Sequence, residues 1–264
     1  DNDTATLTIA SSGSPAEGGE TGTFTISTSK ISQAAVVIGY SISGTATNGT
    51  DYTSGGGALS GSVTLPAYTS SVEIPISIVD DALVEVSESI ALTLMSPDSG
   101  LVQVDTGSGK TASLSVTDND TATITVVKSS NAAEGGSSGI FTVSVTKASQ
   151  AAVAVTFGIG GSATTADDYS LSSPDAQSLT DNIVTLAPGA LSAHIYVNPV
   201  DDNLVEGTEN VVLMLTGPKE GTVKVGSPNT AMMDITDNDT ATISIAQKAN
   251  ATEDGADGQF EITA

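Results

Sequence analysis

The chain has 264 residues, 38% of them hydrophobic and 14% charged, with 7 basic side chains against 31 acidic ones and a formal net charge of −24. That apolar content excludes a disordered chain, and so few Lys and Arg leave nucleic acid and anionic membrane surfaces without a landing site. No cysteine is present, so disulfides, zinc–thiolate centres and a cysteine nucleophile are ruled out. No apolar run approaches the roughly 18 residues of a spanning helix, and direct membrane insertion is not expected.

Asp1-Asn2-Asp3 opens the chain and reads as the end of a preceding repeat. Alternating apolar and polar residues then predict strands over 4–10, 22–28 and 36–42, followed by 62–65, 71–79, 89–95 and 111–117. In the fifth of these, Val72, Ile74, Ile76 and Ile78 share one face while Ser71, Glu73, Pro75 and Ser77 share the other. Gly, Ser, Asn and Asp clusters separate the runs, and no helical period competes. The pattern predicts an all-β fold of tandem antiparallel β-sandwiches, immunoglobulin-like, with about seven strands each.

Internal repetition sets the domain organisation. Asp-Asn-Asp-Thr-Ala-Thr begins at Asp1, Asp118 and Asp237, giving spacings of 117 and 119 residues. Glu17-Gly18-Gly19 matches Glu134-Gly135-Gly136 and, more loosely, Glu253-Asp254-Gly255. Asp51-Tyr52 matches Asp168-Tyr169, and the run from Asp80 to Glu85 matches the run from Asp201 to Glu206. The expected boundaries are 1–3 for the end of one repeat, 4–120 and 121–239 for two complete repeats, and 240–264 for the start of a third.

Strand parity places the acids. If seven strands alternate in direction, the first, third and fifth connections and the end of the seventh strand lie at one end of the sandwich. Glu17, Asp51, then Asp80, Asp81, Glu85 and Glu88, and finally Asp118 and Asp120 occupy those four positions. The second repeat places Glu134, Asp168, Asp201, Asp202, Glu206, Glu209, Asp237 and Asp239 likewise. A like-charged pair at about 4 Å costs on the order of 4 kcal/mol at an effective dielectric near 20. Eight convergent carboxylates therefore need either protons or cations. Oxygen donors without His or Cys suit a hard cation, calcium before magnesium, and the donor count is compatible with several Ca2+ ions per repeat.

These residues as a set resemble the Calx-beta domain, a calcium-binding sandwich, and the resemblance covers both complete repeats. It implies that the sixteen acids just named are metal ligands. The family's exchanger-type members carry a more acidic terminal motif, whereas Asn119 and Asn238 stand in its middle here.

Other residues read more plainly. Asp105, Asp175 and Asp181 are solvated turn formers. His194, the single histidine, faces outward beside an inward Ile195 and lacks the recessed setting of a catalytic triad. Phe24, Phe141 and Phe260 recur at one strand position and are expected in cores. No catalytic or cofactor-binding residue stands out, and the chain is not expected to be an enzyme. The function expected is a calcium-rigidified structural repeat of a large extracellular or cell-surface protein, such as an adhesin stalk, filament or matrix component. Its partners would be neighbouring repeats of the same chain, with self-assembly or other surface components beyond them. The alternatives are a regulatory calcium-sensing module and an accessory binding domain attached to an enzyme or transporter.

Overall fold

The computed structural model describes residues 3–97, 100–218 and 222–264. Asp1 and Asn2, from the first copy of the repeated string, lie outside the described residues. Contacts divide the chain into two compact units. The first comprises Asp1–Ala122, Lys147–Ala151 and Gly221–Val223; the second comprises Thr123–Thr146, Ala152–Glu220 and Lys224–Ala264.

In the first unit the strands are β1 (Ala5–Ser12), β2 (Gly22–Thr28), β3 (Val36–Gly44), β4 (Tyr52–Thr53), β5 (Ser62–Leu65), β6 (Ser71–Ile78), β7 (Glu88–Leu94), β8 (Val102–Val104) and β9 (Thr111–Val116). They form two sheets, ordered β4-β6-β2-β1-β8 and β5-β3-β7-β9. Neighbours are antiparallel except for β1 and β8, which run parallel. The seven expected strands are present, joined by the two-residue β4 and the three-residue β8. Neither is long enough to leave a period-2 trace in the sequence.

Alternation decides which face is buried. In β2, Phe24 and Ile26 are fully buried, and their cross-strand partners in β6 are Ile74 and Val72. Leu7, Ile38, Ile76, Ile90 and Leu92 complete the same core from both sheets. Val72 and Ile78, at the ends of the β6 stripe, are only half-buried. Each fully buried side chain of this size stabilises the fold by roughly 1.5–3 kcal/mol.

The second sequence repeat builds the same sandwich. Its strands are β10 (Ala122–Ser130), β11 (Ala132–Ala133), β12 (Gly139–Val145), β13 (Val153–Gly161), β14 (Tyr169–Ser172), β15 (Ser178–Thr180), β16 (Ile183–Leu186), β17 (Ser192–Pro199), β18 (Glu209–Pro218), β19 (Val223–Val225) and β20 (Thr230–Thr236). The sheets run β14-β17-β12-β10-β19 and β11-β20-β18-β13-β16-β15. Phe141 is fully buried, as Phe24 is.

Residues 240–264 contribute a single antiparallel pair, β21 (Ser244–Ala249) with β22 (Gln259–Thr263). Phe260, expected in a core, is 70% exposed. Two strands have no opposing sheet against which to bury it. Among the described residues no helix is long and apolar enough to cross a membrane.

Phe24→Ala should destabilise the protein by about 3–5 kcal/mol, because a fully buried aromatic leaves a cavity that the two sheets cannot close. Urea unfolding of the variant against the parent protein measures this.

Candidate metal centre

The acids converge because the chain brings particular loop backbones to one sheet end. After β1, the segment at Ala16 leaves its own sheet and forms a parallel bridge with Thr117, just past β9 in the other sheet. The Glu17 amide then donates to the Thr117 carbonyl at 3.1 Å. In the second unit β11 runs parallel to β20, and the Glu134 amide donates to Thr236 at 3.0 Å. This change of sheet carries each glutamate to the acidic string that follows the last strand. The Val79 amide donates to the Asp51 carbonyl at 2.9 Å, which brings the connection after β3 beside Asp80. Glu88 begins β7 opposite Val116, two residues before Asp118.

Carboxylates organise the loops as well as lining the site. Asp118 accepts from the amides of Asp120 at 2.6 Å and Glu85 at 2.7 Å. Asp237 accepts from Asp239 at 2.7 Å and Glu206 at 2.6 Å. Asp81 and Asp202 close the following turns by accepting from Leu83 and Leu204, both at 2.6 Å. Asp51 and Asp168 accept from Thr47 and Thr164 at 2.5 Å. Each still has oxygen lone pairs to offer a cation.

Asn119 and Asn238 hold the strings in place. Asn119 Nδ2 donates to the Glu17 carbonyl at 3.0 Å and to Asp80 at 3.1 Å, while Asn238 donates to Asp201 at 3.0 Å. Gly18, at φ +57°, packs against that amide so closely that a Cβ would lie 2.8 Å from Asn119 Nδ2. Gly135, at φ +60°, leaves a hypothetical Cβ only 2.3 Å from Asn238 Nδ2. The Glu-Gly-Gly string thus needs glycine for its left-handed backbone and for this close approach. The sequence reading saw the asparagine as a lost charge; its role as a tie needs three-dimensional contacts to be seen.

All sixteen named acids gather as two groups of eight, one in each unit. Ligand oxygens of Glu17, Asp118 and Asp120 lie within 4.8 Å of one another. The same holds for Glu134, Asp237 and Asp239, and for Asp168, Glu206 and Glu209. Burial, with Asp118, Asp81 and Glu85 nearby, pushes Glu17 up to about 7. Burial and the charges of Glu88, Asp51, Asp81 and Asp118 push Glu85 up to about 7 as well. Glu88, Glu134, Glu206, Glu209 and Asp239 are raised by desolvation and then by acidic neighbours. Asp237 is lowered, because the Asp239 and Glu206 amides hydrogen-bond its ionised form.

The residues fit a hard cation. Glu17, Asp120 and Glu134 are at least 94% buried, and one carboxylate oxygen of each has no hydrogen-bond partner. A buried oxygen of Asp239 is likewise unpartnered. A buried polar atom left alone costs about 1–3 kcal/mol, more when charged. Calcium, taking 6–8 oxygens in adaptable geometry, would satisfy these atoms and neutralise the group.

Residues outside the clusters separate clearly from them. His194 is half-exposed and its Nδ1 lies 2.5 Å from Asp175 Oδ2. Asp175, read from sequence as a solvated turn former, therefore has a specific partner on β17, whereas Asp105 caps a local turn by accepting from Gly109 at 2.9 Å. Asp181, at φ +50°, lies in the turn between β15 and β16.

A tandem pair of β-sandwiches, each with a buried acidic group at one end, defines the class of protein. The chain belongs to the Calx-beta domain family, whose model matches residues 2–120 and again 117–239. Calx-beta domains generally bind calcium and form a binding and regulatory family rather than a catalytic one. No curated protein matches the chain. Similar solved structures include CBD12 from CALX1.2, at 14% identity and a TM-score of 0.37, over 88% of this chain and 100% of that one. The apo-form Calx CBD1 domain is 19% identical with a TM-score of 0.36, over 45% of this chain and 99% of its own. The Yersinia pseudotuberculosis adhesin InvE is 13% identical with a TM-score of 0.38, over 88% of this chain and 58% of that one.

Raised glutamate values fix the sign of a pH effect. A carboxyl whose folded value lies near 7, against about 4.5 unfolded, favours folding below 4.5 and loses that contribution as pH rises through 7. In chelator, the melting temperature should therefore fall between pH 5 and pH 8. Calcium should remove this fall. Calorimetric melts across that range, with and without calcium, check both statements.

Proposed function

We propose that the chain is a calcium-binding, calcium-rigidified run of structural repeats in a large secreted or cell-surface protein. The observation that supports this most strongly is the matched arrangement of buried, partnerless carboxylate oxygens on Glu17 and Asp120, and on Glu134 and Asp239. Two units that keep the same unfavourable charge in the same place have a common use for it, and a divalent cation supplies that use.

The chain itself connects the site to mechanics. Asp118-Asn119-Asp120 closes one acidic group and passes directly to β10, with Thr121 the single residue between. Cations bound there neutralise the last acids of one repeat immediately before the first strand of the next, and so restrict the backbone at the connection. Without cations, repulsion among the acids loosens it. Neighbouring repeats are the first partners on this reading, and the surface role is to hold other parts of the protein at a set distance. The scarcity of aromatic residues (3%) offers little for a stacking-type ligand site, which favours a spacer over a carbohydrate-binding module.

A ligand bound only by the folded state stabilises it by RT ln(1 + [L]/Kd), about 4 kcal/mol per site at a thousandfold excess. Millimolar calcium should raise the melting temperature by several degrees more than magnesium does. The double substitution Asp80→Asn with Asp81→Asn should remove about half of that increment. Equal melts in calcium and chelator would dismiss the metal reading. Small-angle scattering addresses the mechanical part: chelator should broaden the distribution of particle dimensions, and an unchanged profile would leave a calcium-binding repeat with no stiffening role.

A further inference from the structure

The two acidic groups match carboxylate for carboxylate but differ in their surroundings. The loop Lys147-Ala148-Ser149-Gln150 follows β12 yet belongs to the first compact unit. There Lys147 Nζ pairs with Asp120 Oδ1. The Asp120 side chain is 8% exposed, and its other oxygen is buried without a partner. Lys147 also acts electrostatically on Asp118 and Asp80.

The rest of the loop fixes that lysine. The Val84 amide donates to the Ala148 carbonyl at 2.9 Å, and the Gln150 amide donates to the Val84 carbonyl at 3.0 Å. Ser149 Oγ donates to the same carbonyl at 3.1 Å. The Gln150 side chain hydrogen-bonds Glu88. Val84 is consequently 2% exposed.

Among the described residues, none of the eight acids of the second group forms an ion pair with Lys, Arg or His. The lysine contact is nevertheless a recurring feature of the sequence. Lys30-Ile31-Ser32-Gln33 matches the tetrapeptide at three of its four positions, and Lys30 pairs at 2.7 Å with Asp3, the counterpart of Asp120.

We propose that Lys147 is a cation built into the first acidic group, engaging one Asp120 oxygen and offsetting part of the charge that a calcium ion would otherwise meet. This inference rests on the calcium reading of the groups. The first group is then partly neutralised before any metal arrives. It then depends less on external cations for its folding than eight carboxylates alone would make it. A fixed positive charge beside a divalent ion also repels it, so the first group binds its weakest calcium less tightly than its carboxylates alone would allow.

The test uses the full chain with the second group disabled by Asp201→Asn and Asp202→Asn, so that titration calorimetry with calcium chloride reports on the first group. Adding Lys147→Met should tighten the weakest calcium step by about tenfold or more, the scale of one unit charge removed a few ångströms from a divalent ion in a partly hydrated site. The same substitution should lower the melting temperature in chelator and enlarge the rise that calcium produces. Lys147→Arg should behave like the parent. Lys147→Gln, which keeps a hydrogen-bond donor without the charge, should follow Met and serves if the Met variant folds poorly. Unchanged or weaker calcium binding in both neutral variants would overturn the proposal and make Lys147 a structural support for Asp120. No calcium uptake by any chain, the unsubstituted one included, would overturn the calcium reading along with it.

Discussion

Mutual repulsion among carboxylates crowded at one end of a β-sandwich is the constraint on which the rest of this structure depends. Each unit gathers eight acids from four separate connections, and its core must hold those connections together against their charge. Phe24, Ile26, Ile76, Ile90 and Leu92 supply the hydrophobic resistance in the first unit, with all five fully buried between the two sheets. Asp118 and Asp237 supply local resistance by spending their oxygens on backbone amides, which turns part of the repulsive charge into loop structure. Among the described residues, the one ion pair made by any of these acids is that of Asp120 with Lys147.

Small features of the backbone make sense in this light. The first strand could have continued in its sheet, but the chain changes sheets at Ala16 and at Ala132. That change brings a buried glutamate against the acidic string beyond the last strand. Gly18 and Gly135 allow the asparagine ties to close over it, and the ties hold Asp80 and Asp201 in reach. On the calcium reading proposed above, the energetic logic is that of a preorganised receptor: repulsion is accepted during folding, so that a cation would find its carboxylates already in place.

Much of this was legible in the sequence. Period-2 alternation marks the seven long strands of the first repeat, and strand parity alone places Glu17, Asp51, Asp80 and Asp118 at one end. The short strands escaped notice because two or three residues carry no period. Phe260 is exposed where Phe24 and Phe141 are buried because residues 240–264 supply only β21 and β22, and burial of this position takes a complete sandwich. The asparagine ties and the Asp175–His194 pair depend on contacts between distant segments, to which a pattern along the chain is blind. Lys147 does leave a signal, since Lys, Ser and Gln recur at the same spacing from Lys30, but a lysine in a turn carries no chemistry until its partner is placed.

The hexapeptide that begins at Asp118 and again at Asp237 has a consequence for how such chains change length. Its first residues complete an acidic group, and its last residues start the next sandwich. A recombination event exchanging one copy for another therefore joins a finished site to a correctly phased first strand, with no scar at the seam. Whole repeats can be gained or lost in this way while every junction keeps its full set of acids. A crossover anywhere else in the repeat must match two unrelated core sequences to succeed. The shared string is thus a seam at which one repeat can be joined to another without redesigning either sandwich.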